Sequence, residues 1–198
     1  MKLVLFFVAF LLFSTTSAKA STYDVPVAGI SPTLTAYENY KVEKTEPSID
    51  TYIELYSLLN RIDSDIVEAV IECESSGQAD AINYNRNGTY DSGLMQINSM
   101  NFSWLSDEIG ITDLLDAEQN IKAGCFILGQ LVDKYSDVHR VLMSYNMGEK
   151  RTRELWNSGI KSSEYSRKVV SKLNEIRRIK NEKAHKSKVA TSGREIRC

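Results

Sequence analysis

Glu74 is the residue whose position breaks the local rules. It follows Val67, Val70 and Ile71 at i+7, i+4 and i+3, so a helix through this segment aims it along an apolar stripe rather than toward solvent. Burial disfavours the ionised carboxylate, and the negative end of the helix dipole, close by if Gly77 ends the helix, disfavours it again. A carboxylic acid that keeps its proton near neutral pH is what general-acid catalysis requires. Spacing alone leaves a second outcome open, in which Glu74 sits at a frayed helix end and reaches water.

Other reactive residue types form no comparable constellation. Cys73, Cys125 and Cys198, with His139 and His185, have no metal-ligand spacing, so neither a metal nor another cofactor is expected. Three cysteines allow at most one internal disulfide. Cys73 and Cys125 fall in helical patterns and read as two small buried thiols, with a bridge between them as the alternative. Asn83, Asn85, Asn87 and Gly88 match the first ligand positions of a calcium loop. Leu94 stands where the bidentate Glu is needed, so hairpin chemistry explains the run better. The Asn-x-Ser/Thr matches at Asn87 and Asn101 matter only on a eukaryotic secretory route, for which nothing here speaks.

The elements that must carry Glu74 are mostly helical. Tyr52, Leu55, Tyr56 and Leu59 repeat on one helical face; Asp63 or Ser64 caps a second helix, and Gly77 stops it. Asn87-Gly88, flanked by Tyr84 and Tyr90, predicts a β-hairpin. Asp116 and Gln119 form a variant capping box ahead of a helix running through Ile121, Leu128 and Tyr135. A shorter helix carries Val138, Val141, Leu142 and Tyr145, and a last one from about Ser163 carries Tyr165, Val169, Leu173 and Ile176. The expected fold is an α-rich (α+β) domain over residues 49–180 with one small hairpin.

The ends of the 198-residue chain read differently. Lys2, the apolar run from Leu3 to Phe13, and Ala18 and Ala20 make residues 1–20 a signal peptide, so an exported protein of the periplasm, cell wall or extracellular space is expected. Eleven apolar residues are too few for a membrane span, and no later segment offers an anchor. All three prolines lie in the polar linker assigned to residues 21–48. Residues 181–198 are expected to be a basic disordered tail. Between 177 and 198 eight Lys or Arg face two acids, while residues 21–176 hold 14 basic and 24 acidic side chains. So acidic a body excludes nucleic acid as its partner, and only the tail could attach to an anionic surface.

The four segments Glu74-Ser75, Gly93-Leu94-Met95-Gln96-Ile97-Asn98, Asn120-Ile121-Lys122-Ala123-Gly124 and Ser144-Tyr145-Asn146-Met147-Gly148 follow in order. Their order and spacing resembles the lytic transglycosylase (SLT, goose-lysozyme-like) family over about residues 50–177. Residues 87–98 look closest to its small members associated with secretion and conjugation machines. The resemblance implies a lysozyme-like fold with a cleft. It also implies cleavage of the β-1,4 bond between N-acetylmuramic acid and N-acetylglucosamine in peptidoglycan, with 1,6-anhydro ends. Glu74 takes the place of the single catalytic acid. Ser75, Gln96, Asn98, Tyr145, Asn146 and Asp91 are the candidate substrate-binding residues, Tyr145 near the acid. Peptidoglycan strands, and an envelope-spanning secretion or conjugation machine, are the implied partners of a monomer.

Each residue also has a plainer reading. Gln96 and Asn98 could satisfy hairpin backbone, Leu94 and Met95 belong to the core, Tyr145 could pack with its hydroxyl bonded, and Asn146 with Gly148 could form a helix C-cap. Ser144 and Met147 stand where the family usually has Ala, and Asn98-Ser99 where many members have Met-Pro; these bear on substrate fit. Hydrolysis competes if a second carboxylate, Asp80 or Asp91, serves the acid at the about 5 to 9.5 Å separations that glycosidases use. A solvated turn position is the plainer reading of Asp91. A module that holds glycan without turnover is the third reading.

Overall fold

The computed structural model describes residues 47–195, with side chains to Ser187. The signal peptide, nearly all of the linker, and Cys198 lie outside the described residues.

Among the described residues seven helices and one small sheet follow in the order α1 (Ile49–Leu59), α2 (Ser64–Glu74), β1 (Ile82–Tyr84), β2 (Tyr90–Ser92), β3 (Ile97–Asn98), a 3₁₀ turn (Ser99–Asn101), α3 (Phe102–Ile109), α4 (Ala117–Lys134), α5 (Val138–Met147), α6 (Glu149–Asn157) and α7 (Glu164–Glu195). Asp63 is the cap of α2, its carboxylate accepting from Asp65 N at 2.9 Å. Asp116 caps α4 by accepting from Gln119 N at 2.8 Å. The expected box is only half made, because Gln119 Oε1 turns away to accept from Thr112 N and Asp113 N and ties down the incoming loop.

The hairpin forms, with Asn83 opposite Asp91 and Tyr84 opposite Tyr90. Its turn spans residues 85–89, closed by Asn85 N donating to Thr89 O at 2.8 Å, and Gly88 takes the left-handed φ of +83°. A third strand pairs Ser92 with Ile97, so the hairpin is two-thirds of a three-stranded antiparallel sheet.

The core gathers Val67 and Val70 of α2, Leu94 and Met95 of the loop after β2, Ile121 and Leu128 of α4, Leu142 of α5 and Val169 of α7. α2 and α7 pack together, and α4 lies against α1 and α5. The face of α1 differs from expectation. Ile53, Tyr56 and Ser57 are buried, whereas Leu55 is exposed and Leu59 is 64% exposed. Tyr56 Oη donates to Glu118 Oε1 at 2.6 Å, which fixes that face toward α4.

The C-terminal segment also differs. α7 continues through the stretch assigned to a disordered tail, as far as Glu195. Lys, Glu, Ala and Arg are good helix formers, and no Pro or Gly interrupts residues 164–192. Arg178 pairs with Glu182 at 2.8 Å one turn on, and Lys180 reaches Asp65 and Glu68 of α2 at 2.6 Å each. Cys73 and Cys125 are free thiols; Cys125 is buried, Cys73 only partly. Among the described residues no helix is long and apolar enough to cross a membrane.

Candidate active site

Glu74 is the last residue of α2, and Ser75, Ser76 and Gly77 turn the chain away, the last two with left-handed φ of +53° and +79°. The helix therefore ends with its final side chain on the wall of a cleft of about 860 Å³. Asp91, Gln96, Asn98, Tyr145 and Asn146 line the same cleft.

The acid is partly buried, and desolvation holds its pKa above the usual carboxylate value. Tyr165 Oη donates to Glu74 Oε1 at 2.6 Å, which favours the ionised form and pulls the value part of the way back. The negative charge of Asp91 pushes it up, and the ammonium of Lys168 pulls it down. Burial and the facing Glu74 push the Tyr165 phenol far up, so it stays a donor in the physiological range. Tyr145 behaves likewise and spends its proton on Met95 O at 2.8 Å. Tyr145 lines the cleft and packs against the core at once, and its phenol anchors the loop after β2.

That loop, residues 93–96, is held from below by α4. Asn120, wholly buried, donates to Ser92 O at 2.8 Å and Leu114 O at 2.7 Å and accepts from Met95 N at 2.8 Å. A Cβ at Gly93 would lie 2.2 Å from Asn120 Nδ2, and one at Gly124 would lie 2.2 Å from Met95 Sδ. Two of the sequence motifs are thus the two halves of one joint.

Ser75 belongs to this joint rather than to the cleft wall. It is buried, and its hydroxyl donates to Leu94 O at 2.8 Å. As the C-cap of α2 it points inward where Glu74 points outward. Gln96 does line the cleft, yet its amide is committed: Nε2 donates to Gly93 O at 2.8 Å and Oε1 accepts from Asn83 Nδ2 at 2.7 Å. These bonds hold it at the left-handed φ of +48°, costly for a side chain with a Cβ.

Asp91 stands on β2, not in a solvated turn. Its carboxylate accepts from Asn98 Nδ2 at 2.6 Å and Asn85 Nδ2 at 3.0 Å. Asn98 Oδ1 meanwhile caps the 3₁₀ turn through Met100 N at 3.0 Å. Asp80 is exposed in the turn before β1 and does not line the cleft.

Two features around the acid and its cleft escape sequence reasoning. Tyr165 reads as one apolar position among several on the last helix, and only its contact across 91 positions marks it out. Trp104 lies on α3, an element without a legible period, and puts its ring 5.6 Å from Phe126 along the cleft wall. Among the described residues no cluster of His, Cys, Asp and Glu could hold a metal ion.

The model of the transglycosylase SLT domain matches residues 51–167, more than half of the chain. The protein belongs to that family. This SLT-domain protein is similar to the transglycosylase of Enterobacteria phage PRD1, 30% identical over 113 residues that make up 57% of this chain and 38% of the phage protein. It is similar also to the invasion protein IagB of Salmonella typhi, 28% identical over 140 residues, 69% of this chain and 83% of the relative. The 70-kDa soluble lytic transglycosylase of Escherichia coli shares the fold, with a TM-score of 0.52 at 22% identity over 62% of this chain and 23% of the larger one. The chain thus spans well under half of the phage relative and of that enzyme, and its lysozyme-like helical domain is the shared part.

Proposed function

We propose that this SLT-domain protein is a peptidoglycan lytic transglycosylase that cleaves the bond between N-acetylmuramic acid and N-acetylglucosamine and leaves 1,6-anhydromuramyl ends. The observation that carries the reading is Glu74: a partly buried acid on a cleft wall, its pKa raised by burial and its position set by Tyr165.

The proton of Glu74 passes to the glycosidic oxygen, the C1–O bond breaks, and the N-acetylglucosamine chain leaves with that proton. The resulting carboxylate takes the proton of the muramyl C6 hydroxyl as its oxygen bonds to C1. The ring closes, Glu74 is again protonated, and no water is consumed. Tyr165 supplies a donor to the carboxylate formed halfway, where negative charge is greatest. Gln96, Asn98, Asn146 and Tyr145 line the strand's path, and Ser75 supports the loop beneath it.

Hydrolysis by a muramidase mechanism is a second reading, favoured by Asp91, whose charge reaches Glu74 from the same cleft. A monomer exported to the envelope, serving a machine that must cross the wall, suits the expected signal peptide and the likeness to an invasion protein. The test is to incubate the mature protein with purified murein sacculi and to analyse the muropeptides by mass spectrometry. Anhydro ends support transglycosylation, reducing ends hydrolysis, and intact glycan a binding module. Activity that survives Glu74→Gln defeats both enzymatic readings.

A further inference from the structure

A second, shallow depression of about 510 Å³ lies beside the catalytic cleft. Asn146, Ser163, Glu164, Tyr165 and Lys168 line it, and Asn146 lines the cleft as well, so the two spaces adjoin. Tyr165 is the partition: its hydroxyl bonds Glu74, and the residue also lines the depression.

Lys168 is the cation of this depression. Its ammonium gives one hydrogen bond, to Cys73 O at 3.0 Å, of the three it can donate. Further along α7, Lys172, Arg177, Arg178 and Lys180 each sit within 4 Å of a carboxylate. Among the described residues Lys168 has no such ion pair, although Glu164 stands one turn before it on the same rim. The depression therefore offers a cation with no carboxylate within 4 Å and, one helical turn away, an acceptor.

We propose that this depression receives the peptide arm of the muramyl residue, with a carboxylate of that arm on Lys168. The proposal rests on the glycan-cleaving reading. The bond that Glu74 protonates begins at C1 of a muramyl ring, and the peptide hangs from C3 of the same ring. A muramyl unit seated against Glu74 thus places the root of its peptide within one sugar ring of Tyr165. Glu164 is placed to accept from an amine further along the peptide. Lys168 acts here as a specificity residue; its charge also lowers the pKa of Glu74, an effect common to peptide-bearing and stripped strands that a ratio of the two rates cancels.

The experiment compares kcat/KM on glycan strands bearing their peptides with kcat/KM on strands stripped by an amidase, for the wild type, Lys168→Gln, Lys168→Glu and Lys168→Arg. The ratio of the two values falls about fivefold in Lys168→Gln, the scale of one exposed ion pair, falls further in Lys168→Glu, and holds in Lys168→Arg. Equal losses on both substrates, an unchanged ratio in Lys168→Gln, or a fall in Lys168→Arg as large as in Lys168→Gln overturns the proposal. A wild type that cleaves stripped and peptide-bearing strands with equal kcat/KM sinks the peptide site alone, whereas a wild type that cleaves neither substrate sinks the glycan-cleaving reading with it.

Discussion

Tyr165 Oη lies 2.6 Å from Glu74 Oε1 and donates to it, joining the start of α7 to the end of α2. The contact sets two opposed influences on one carboxyl. Burial keeps the proton on, and the phenol eases it off. An acid that must give up a proton and then take one back works best between those limits.

Tyr165→Phe removes the easing influence and leaves the burial. Glu74 then holds its proton to higher pH, so the alkaline limb of the kcat/KM profile moves upward. At the optimum the rate falls about 10- to 100-fold, because the carboxylate formed halfway loses its donor. A pH profile on solubilised glycan reads both effects; an alkaline limb that moves downward contradicts the assignment.

Asp91→Asn acts with the opposite sign. The negative charge that raises the pKa of Glu74 is gone, so the alkaline limb moves downward. Anhydro products persist if Glu74 works alone. Loss of reducing-end products in this variant would instead assign Asp91 to hydrolysis, and mass spectrometry of the muropeptides distinguishes the two.

The acid burdens the fold that carries it. Its native pKa is raised, so the native state holds the proton more tightly than the unfolded chain, and ionisation destabilises the fold as pH climbs from about 4.5 through the native value. Glu74→Gln removes the charge and keeps an acceptor for Tyr165. The variant therefore melts above the wild type at neutral pH, and the gap closes at about pH 4 and below. Thermal melts followed by circular dichroism across that range check it; a gap independent of pH refutes it.

Asn120→Ala empties the joint beneath the cleft. Ser92 O, Leu114 O and Met95 N lose their buried partner together, at a cost of about 3 kcal/mol or more. Denaturant unfolding measures the loss, and the glycan-cleaving rate falls with it, because Gln96 rides on the released loop.

The long helices and the place of the acid were legible because both follow from periods. A 3.6-residue repeat carries Val67, Val70, Ile71 and Glu74 onto one face, and Asn87-Gly88 marks the hairpin by its backbone preference. What was missed has no period to read. β3 is two residues long, α3 and α6 are eight and nine, and none completes three helical turns. Leu55 and Leu59 followed the pattern of a buried stripe, yet the face of α1 is turned by Tyr56 and Glu118. The end of α7 has the charge density of a solvated tail, yet its residues have the helix propensity to continue to Glu195.

By itself the chain's order of residues determined that an acid ends a helix, that three further motifs follow it, and that a mostly helical domain carries them. Local preference acts over a few residues, so it can be read from them. Only the tertiary structure decided that Ser75 faces inward, that Asp91 faces the acid, and that Tyr165 closes on it. Those outcomes depend on which distant surfaces meet when the core closes, and no single segment contains that information.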